Sequence, residues 1–200
     1  MNETANGDYE RAIQRTKQIL AKWPLFGPTR AFLAPALREK GDSGGAIREW
    51  ERLHELDSAN PFPLWGLARV YMDTGDLPKA RLEMQSVPTQ HRPNYTCKLH
   101  WSLLFALEGK KTEALRELDE QTLNFAGSSY LGALQPAEIY AVLGDTTKAL
   151  DWLDRAVRWG DEREEWFHRD PHLANIRTQP RFQQVLDSVA YRRKQRSQSR

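Results

Sequence analysis

One cysteine in 200 residues rules out a disulfide framework, so the fold must be held by packed side chains. No apolar run approaches the roughly 18 residues needed to cross a bilayer, so no membrane-spanning helix is expected. Residues 1–8 are polar and acidic, without the basic start and apolar middle of a secretory signal. The glycines lack phosphate-loop spacing: no Gly-Lys-Ser/Thr follows Gly41-Asp42-Ser43-Gly44-Gly45, which argues against a nucleotide site. Charge of one sign is not in excess either, since 29 Lys and Arg face 27 Asp and Glu. Five of those bases, Arg192, Arg193, Lys194, Arg196 and Arg200, stand near the C-terminus; without them 24 bases face 27 acids. The body is therefore slightly acidic, and no nucleic-acid partner is expected. A content of 40% hydrophobic and 28% charged residues is that of a folded chain rather than a disordered one.

What the sequence does have is a period. Gly7, Gly41, Gly75, Gly109 and Gly144 are spaced by 34, 34, 34 and 35 residues, and each is followed five positions later by Ala12, Ala46, Ala80, Ala114 or Ala149. Between them the apolar residues have helical spacing. Leu64, Leu67, Ala68 and Tyr71 form one helical face, Gly75-Asp76 interrupts, and Ala80, Met84 and Val87 form a second. Glycine suits the end of the first helix because the turn needs a left-handed residue. The following Asp8, Asp42, Asp76 or Asp145 can cap the next helix by accepting from its unpaired backbone N–H groups. Lys110 cannot, so that helix is expected to start at Thr112. A repeat of this length signifies stacked two-helix units that bury their apolar faces against neighbours.

The pattern resembles the tetratricopeptide repeat. Ala34/Leu37, Ala68/Tyr71, Ser102/Phe105 and Ala137/Tyr140 match the small and large residues of its first helix. Ala46, Ala80, Ala114, Ala149 and Ala156 match the alanines of its second. The terminal proline of the family motif is present at Pro24, while Ser58, Arg92 and Ala126 replace it elsewhere. The resemblance implies an all-α fold, a right-handed superhelix (α-solenoid) of antiparallel helix pairs with a C-terminal capping helix. Repeats would occupy 1–161 with breaks near 41, 75, 109 and 144, capping helices 162–190, and a basic flexible tail 191–200.

Three departures stand out. The first repeat begins at its second helix, so it should expose the face that a missing partner would cover. The chain is accordingly expected to be a C-terminal portion of something longer. Residues 125–136 combine Gly127-Ser128-Ser129 with Pro136, and two readings are open: a short helix from near Gln135, which the pre-proline restriction favours, or a kinked helix from Tyr130. Finally, Tyr140-Ala141-Val142-Leu143-Gly144, Asp170-Pro171 and Pro180-Arg181-Phe182 resemble the C-terminal ends of bacterial receptor-type serine/threonine kinases, winged-helix regulators and TolB-like proteins. That resemblance does not choose among upstream partners.

Catalytic signals are sparse. His168 and His172 have an i,i+4 spacing, but Pro171 argues against a shared helix and a metal site. Cys97 and His100 lack an orienting third group and an oxyanion loop. Asp161-Glu162-Arg163-Glu164-Glu165 reads as a solvated stretch ahead of a helix. No catalytic residue, metal or cofactor is expected. Trp65 falls on the side of its helix that lines the concave groove in tetratricopeptide repeats. Arg38, Arg69, Met72, Leu99, Leu103 and Glu138 fall on the corresponding sides of theirs. Aromatic, Arg and Met residues together suit a peptide-binding surface, although the Asn and Lys of a carboxylate clamp are missing. The expectation is a non-enzymatic, cytoplasmic interaction scaffold, periplasmic if an upstream anchor exists. It would bind a protein or peptide in its groove, or form a homodimer through the open N-terminal half-repeat. The alternatives are a small-ligand sensor enclosed by residues 125–136 and the groove, or a non-catalytic part of an enzyme.

Overall fold

The computed structural model describes residues 7–198, and among them the regular structure is all helical. The repeating glycines make the turns. Gly41, Gly75, Gly109 and Gly144 have φ of 95°, 80°, 75° and 80°, a region that a Cβ penalises. Each closes a helix by paired backbone bonds: Gly41 N–H to the Arg38 carbonyl and Asp42 N–H to the Leu37 carbonyl, both 2.9 Å, with the same pattern at the other three. Gly160, outside the period, repeats the device after a second helix, with φ 100°. The aspartates then start the next helix. The Asp42 carboxylate accepts from Gly45 N–H at 2.7 Å, Asp76 from Lys79 N–H at 3.2 Å and Asp145 from Lys148 N–H at 3.1 Å.

The chain divides into two compact units, and the division falls inside one helix, between His100 and Trp101. The first unit contains α1 (Tyr9–Lys22), α2 (Gly27–Lys40), α3 (Ser43–Leu56), α4 (Phe62–Thr74), α5 (Leu77–Ser86) and the start of α6 (Tyr95–Leu107). Each helix packs on the next from α1 to α5, and α2 also meets α4. This is the sequential pairing of a helical-repeat architecture. The alanines sit where helices approach most closely: Ala34, Ala46, Ala68 and Ala80 are fully buried. Gly66 has a comparable reason. A Cβ there would lie 2.2 Å from the Trp50 ring, so only glycine lets that indole lie against α4.

The second unit comprises the rest of α6, α7 (Lys111–Glu117), α8 (Glu120–Ala126), α9 (Tyr130–Val142), α10 (Thr146–Arg158), α11 (Glu164–Arg169) and α12 (Pro180–Gln198). Here α9 pairs with α10, and a 3-10 segment, Pro171–Ile176, packs on both. The fully buried Ser102 replaces the alanine of other repeats, and its hydroxyl donates to the Ala114 carbonyl at 2.8 Å, so the polar atom in this small gap is satisfied.

Several expectations for this unit are corrected. The helix after Lys110 starts at Lys111 rather than Thr112, with no side-chain cap. It ends after two turns, and Asp119 starts an additional helix, α8, by accepting from Thr122 N–H at 2.8 Å. The helix containing Pro136 starts at Tyr130, not near Gln135. Ser129 caps it by accepting from Gly132 N–H at 3.1 Å, and the residue four before the proline is Gly132 itself. Asp161, Glu162 and Arg163 are buried rather than solvated. The Arg163 guanidinium donates to both Asp161 carboxylate oxygens, at 2.8 and 2.6 Å, and lies 5.7 Å from the Tyr130 ring centroid. A bidentate pair of this kind satisfies charges that burial would otherwise penalise. The basic C-terminal segment is helical as far as Gln198 rather than a tail from 191. Arg192 donates to the Val157 carbonyl and Arg193 to that of Glu162 at 2.7 Å. The first of these bonds puts a cation where the α10 dipole favours one. Residues 1–6, Arg200 and the side chain of Arg196 lie outside the described residues.

Candidate docking surfaces

The residues expected to line a groove are largely interior. Trp65 and Arg69 are 7% exposed, Met72, Leu99 and Leu103 2%, and Glu138 1%. The Arg38 side chain is 11% exposed. Arg38, Trp65, Arg69, Met72 and Leu99 belong to the first unit, and Leu103 and Glu138 to the second. The structure brings two of them together electrostatically. Arg69 Nε donates to Asp73 Oδ1 at 2.9 Å, Arg38 approaches Asp73 Oδ2 at 3.5 Å, and Arg38 also reaches Glu39 Oε1 at 3.3 Å. Two cations and two carboxylates are thus matched between α2 and α4. A balanced, buried cluster fixes how two helices sit and contributes little net stability. Trp65 extends this stripe by one turn. Its ring stacks on His100 at 6.4 Å with 26° between the planes, and Phe62 meets it edge-on at 6.4 Å. His100 Nδ1 lies 2.8 Å from the Thr96 carbonyl, so that nitrogen carries the proton. The Trp65 indole N–H is buried with no hydrogen-bond partner among the described residues.

Within residues 125–136 the two glycines lie against close neighbours. Gly127 lies under the Arg155 guanidinium, where a Cβ would come within 2.5 Å, and Gly132 is equally close to the Ala126 carbonyl. The depression nearby, about 510 Å³ and lined by Arg155, Arg158 and Trp159, is open to solvent.

Exposed apolar side chains gather elsewhere, at the α1–α2 turn and on α2. Trp23 is 67% exposed, Leu25 68%, Phe26 51% and Phe32 69%. Along α2 the same side carries Pro28, exposed, with Ala31 and Pro35, half-buried. Isolated apolar residues on a surface are ordinary, whereas several exposed together, as Trp23, Leu25 and Phe26 are beside one hollow, suit an interaction site. These side chains are displayed on fixed backbone. Trp23 N–H donates to the Ile19 carbonyl at 2.8 Å, Phe26 N–H to Trp23 at 3.0 Å, and Thr29 N–H to Phe26 at 3.2 Å. Arg30 ties the turn down by donating to the Pro24 carbonyl at 2.7 Å while pairing with Glu49 of α3. An open hollow of about 370 Å³ runs beside Lys22, Trp23, Pro24, Leu25 and Phe26.

Sequence reasoning placed an uncovered face at the first repeat but sought function in the groove. The signal for Phe32 was available in the register. Its counterparts in the next two repeats are Gly66 and His100, so a large exposed phenylalanine there has no packing role to fill. The outward side of α1 carries Arg11, Gln14, Arg15, Lys17 and Gln18 with one large apolar residue, Ile19 (42% exposed), and further apolar exposure follows on the turn and on α2.

Among the described residues no group of three or more His, Cys, Asp and Glu could hold a metal ion, and no helix is long and apolar enough to cross a membrane. Fold and surface together define an all-α, helical-repeat architecture that exposes apolar side chains at the α1–α2 turn and on α2. No family model matches the chain, and no curated protein matches it.

Proposed function

We propose that this chain is a non-catalytic interaction scaffold of tetratricopeptide type, a right-handed superhelix that recruits a protein partner. Its place would be the docking or sensing portion of a larger bacterial signalling or transcription-regulatory protein in the cytoplasm. The regulatory setting is supported by the resemblance carried by Tyr140-Ala141-Val142-Leu143-Gly144, Asp170-Pro171 and Pro180-Arg181-Phe182. The observation that carries the docking role is the exposure of Trp23, Leu25, Phe26 and Phe32 on a hydrogen-bonded turn and helix. Aromatic residues held in one conformation lose little entropy on binding and supply most of the contact energy at protein interfaces. A photo-crosslinking residue at position 32 should form a discrete protein adduct, while the same residue at Leu131, also exposed (51%) but on α9, should not. Adducts at both positions, or at neither, would remove this face from the account.

The buried, unpaired Trp65 N–H supports a second reading, an extended peptide whose carbonyl accepts from that indole. An unmet buried donor costs about 1–3 kcal/mol, and a ligand that satisfies it recovers that cost. Partner recovery should fall in a Trp65→Ala/Arg69→Ala double variant; equal recovery would eliminate the groove.

A further inference from the structure

The geometry points to a second copy of this chain as the occupant of the Trp23–Phe26 turn and the adjoining face of α2, an inference that rests on the docking reading above. In a two-fold arrangement each chain offers its own α2 to the other, and the same residues serve as knob and socket. That self-complementarity is what an isologous interface requires.

The uncharged centre of the face and its area fit this occupant. From Trp23 to Phe32 the only charged residue is Arg30, already neutralised by Glu49 and bonded to the Pro24 carbonyl. The centre of the face can therefore meet itself without like-charge repulsion, while Lys22 stands exposed at its edge beside the hollow. A full aromatic side chain presents roughly 150–250 Å². At the exposures of Trp23, Phe26, Phe32 and Leu25, the four side chains display on the order of 500 Å². Two copies would bury about twice that from these residues alone, which reaches the ~1,000 Å² that separates specific interfaces from incidental contacts. The hydrogen-bonded turn and the Arg30 tether mean that little ordering cost opposes association.

Light scattering coupled to size exclusion tests the inference on the chain as it stands. At about 100 µM the mass should be twice 23.1 kDa, falling toward one copy on dilution. Phe32→Glu and Leu25→Glu should each give a single-copy mass at the same concentration with an unchanged helical circular dichroism spectrum, and Leu131→Glu should leave the dimer intact. Either face variant suffices if the other fails to fold. The adduct formed by a crosslinker at position 32 should weigh two chains. A chain that is monomeric at the highest concentration overturns the inference, as does a dimer that survives both face variants, or a monomer that co-sediments with anionic vesicles through Trp23. The docking reading is judged separately: a monomer whose position-32 adduct contains a different protein keeps that reading while removing the second copy.

Discussion

The outer faces of α2 and α4 stand in the same register, 34 residues apart, and meet opposite surroundings. On α4 the face runs Phe62, Trp65, Gly66 and Arg69. Trp65 and Arg69 are 7% exposed, and the Trp50 ring lies directly against Gly66. On α2 the equivalents are Pro28, Ala31, Phe32 and Pro35, and Phe32 is 69% exposed. The cause is the side chain that the second helix packed before each one supplies. Trp50 of α3 lies over Gly66, whereas the residue of α1 in the same register is Thr16. In a stacked array a helix face is completed by its neighbour, so identical register does not mean identical burial. The same comparison explains why residue type diverges at a repeated position: glycine where an indole must fit, phenylalanine where nothing covers it.

The comparison breaks most visibly at Trp50. The residue is 4% exposed and meets Phe62 edge-on at 5.3 Å. Trp50→Ala should cost about 3–5 kcal/mol in urea unfolding, because it empties the space over Gly66. Gly66→Ala attacks the same contact from the other side. With its Cβ 2.2 Å from the ring, it should cost about 2–3 kcal/mol by overpacking. If either change is neutral, the α4 face is not packed as described.

The caps allow a second comparison at matched positions. Lys110 has φ −88° and ψ 67°, and Asp76 has φ −81° and ψ 67°, yet only the aspartate accepts from the helix it precedes. Lys110→Asp should therefore stabilise the chain by about 1 kcal/mol, measured by the same unfolding experiment. Asp145 supplies the pH dependence. Its carboxyl lies below its ordinary value of 3.8, first because it accepts the Lys148 backbone N–H and second because of the Lys148 ammonium. A depressed folded-state pKa contributes stability that is present above the unfolded value and lost as pH falls through the folded one. Acid titration of stability below about pH 4 should thus be shallower in Asp145→Asn, which keeps a cap acceptor that cannot titrate. The smallest effect belongs to the bare face. Phe32→Ser should change single-chain stability by less than about 0.5 kcal/mol, as exposed sites do, while abolishing association.

The turns were legible because each rests on a local requirement: left-handed glycines at Gly41, Gly75, Gly109 and Gly144, and capping aspartates one residue later. The small residues at crossings were equally legible, down to the burial of Ser102. Pro136 was misread because the pre-proline restriction is local, whereas α9 is held by a Ser129 cap and by burial of Pro136 itself. The break at Asp119 passed unnoticed because a capping residue within a helical period looks like any solvent-facing acid. The groove residues show the limit of register most clearly. Helical spacing put Arg38 and Arg69 on corresponding faces, but it could not show that Asp73 lies between them. Nor could it show that Asp161 and Arg163 neutralise one another inside the second unit.

Hydroxyl-radical footprinting at two protein concentrations tests the contrast between the bare and the covered face most directly. The account predicts that Trp23 and Phe32 oxidise rapidly in dilute solution and become protected as concentration rises, while Trp50 and Trp65 stay protected throughout. Protection of Trp23 and Phe32 in dilute solution, or oxidation of Trp65 at the rate of Trp23, would contradict it.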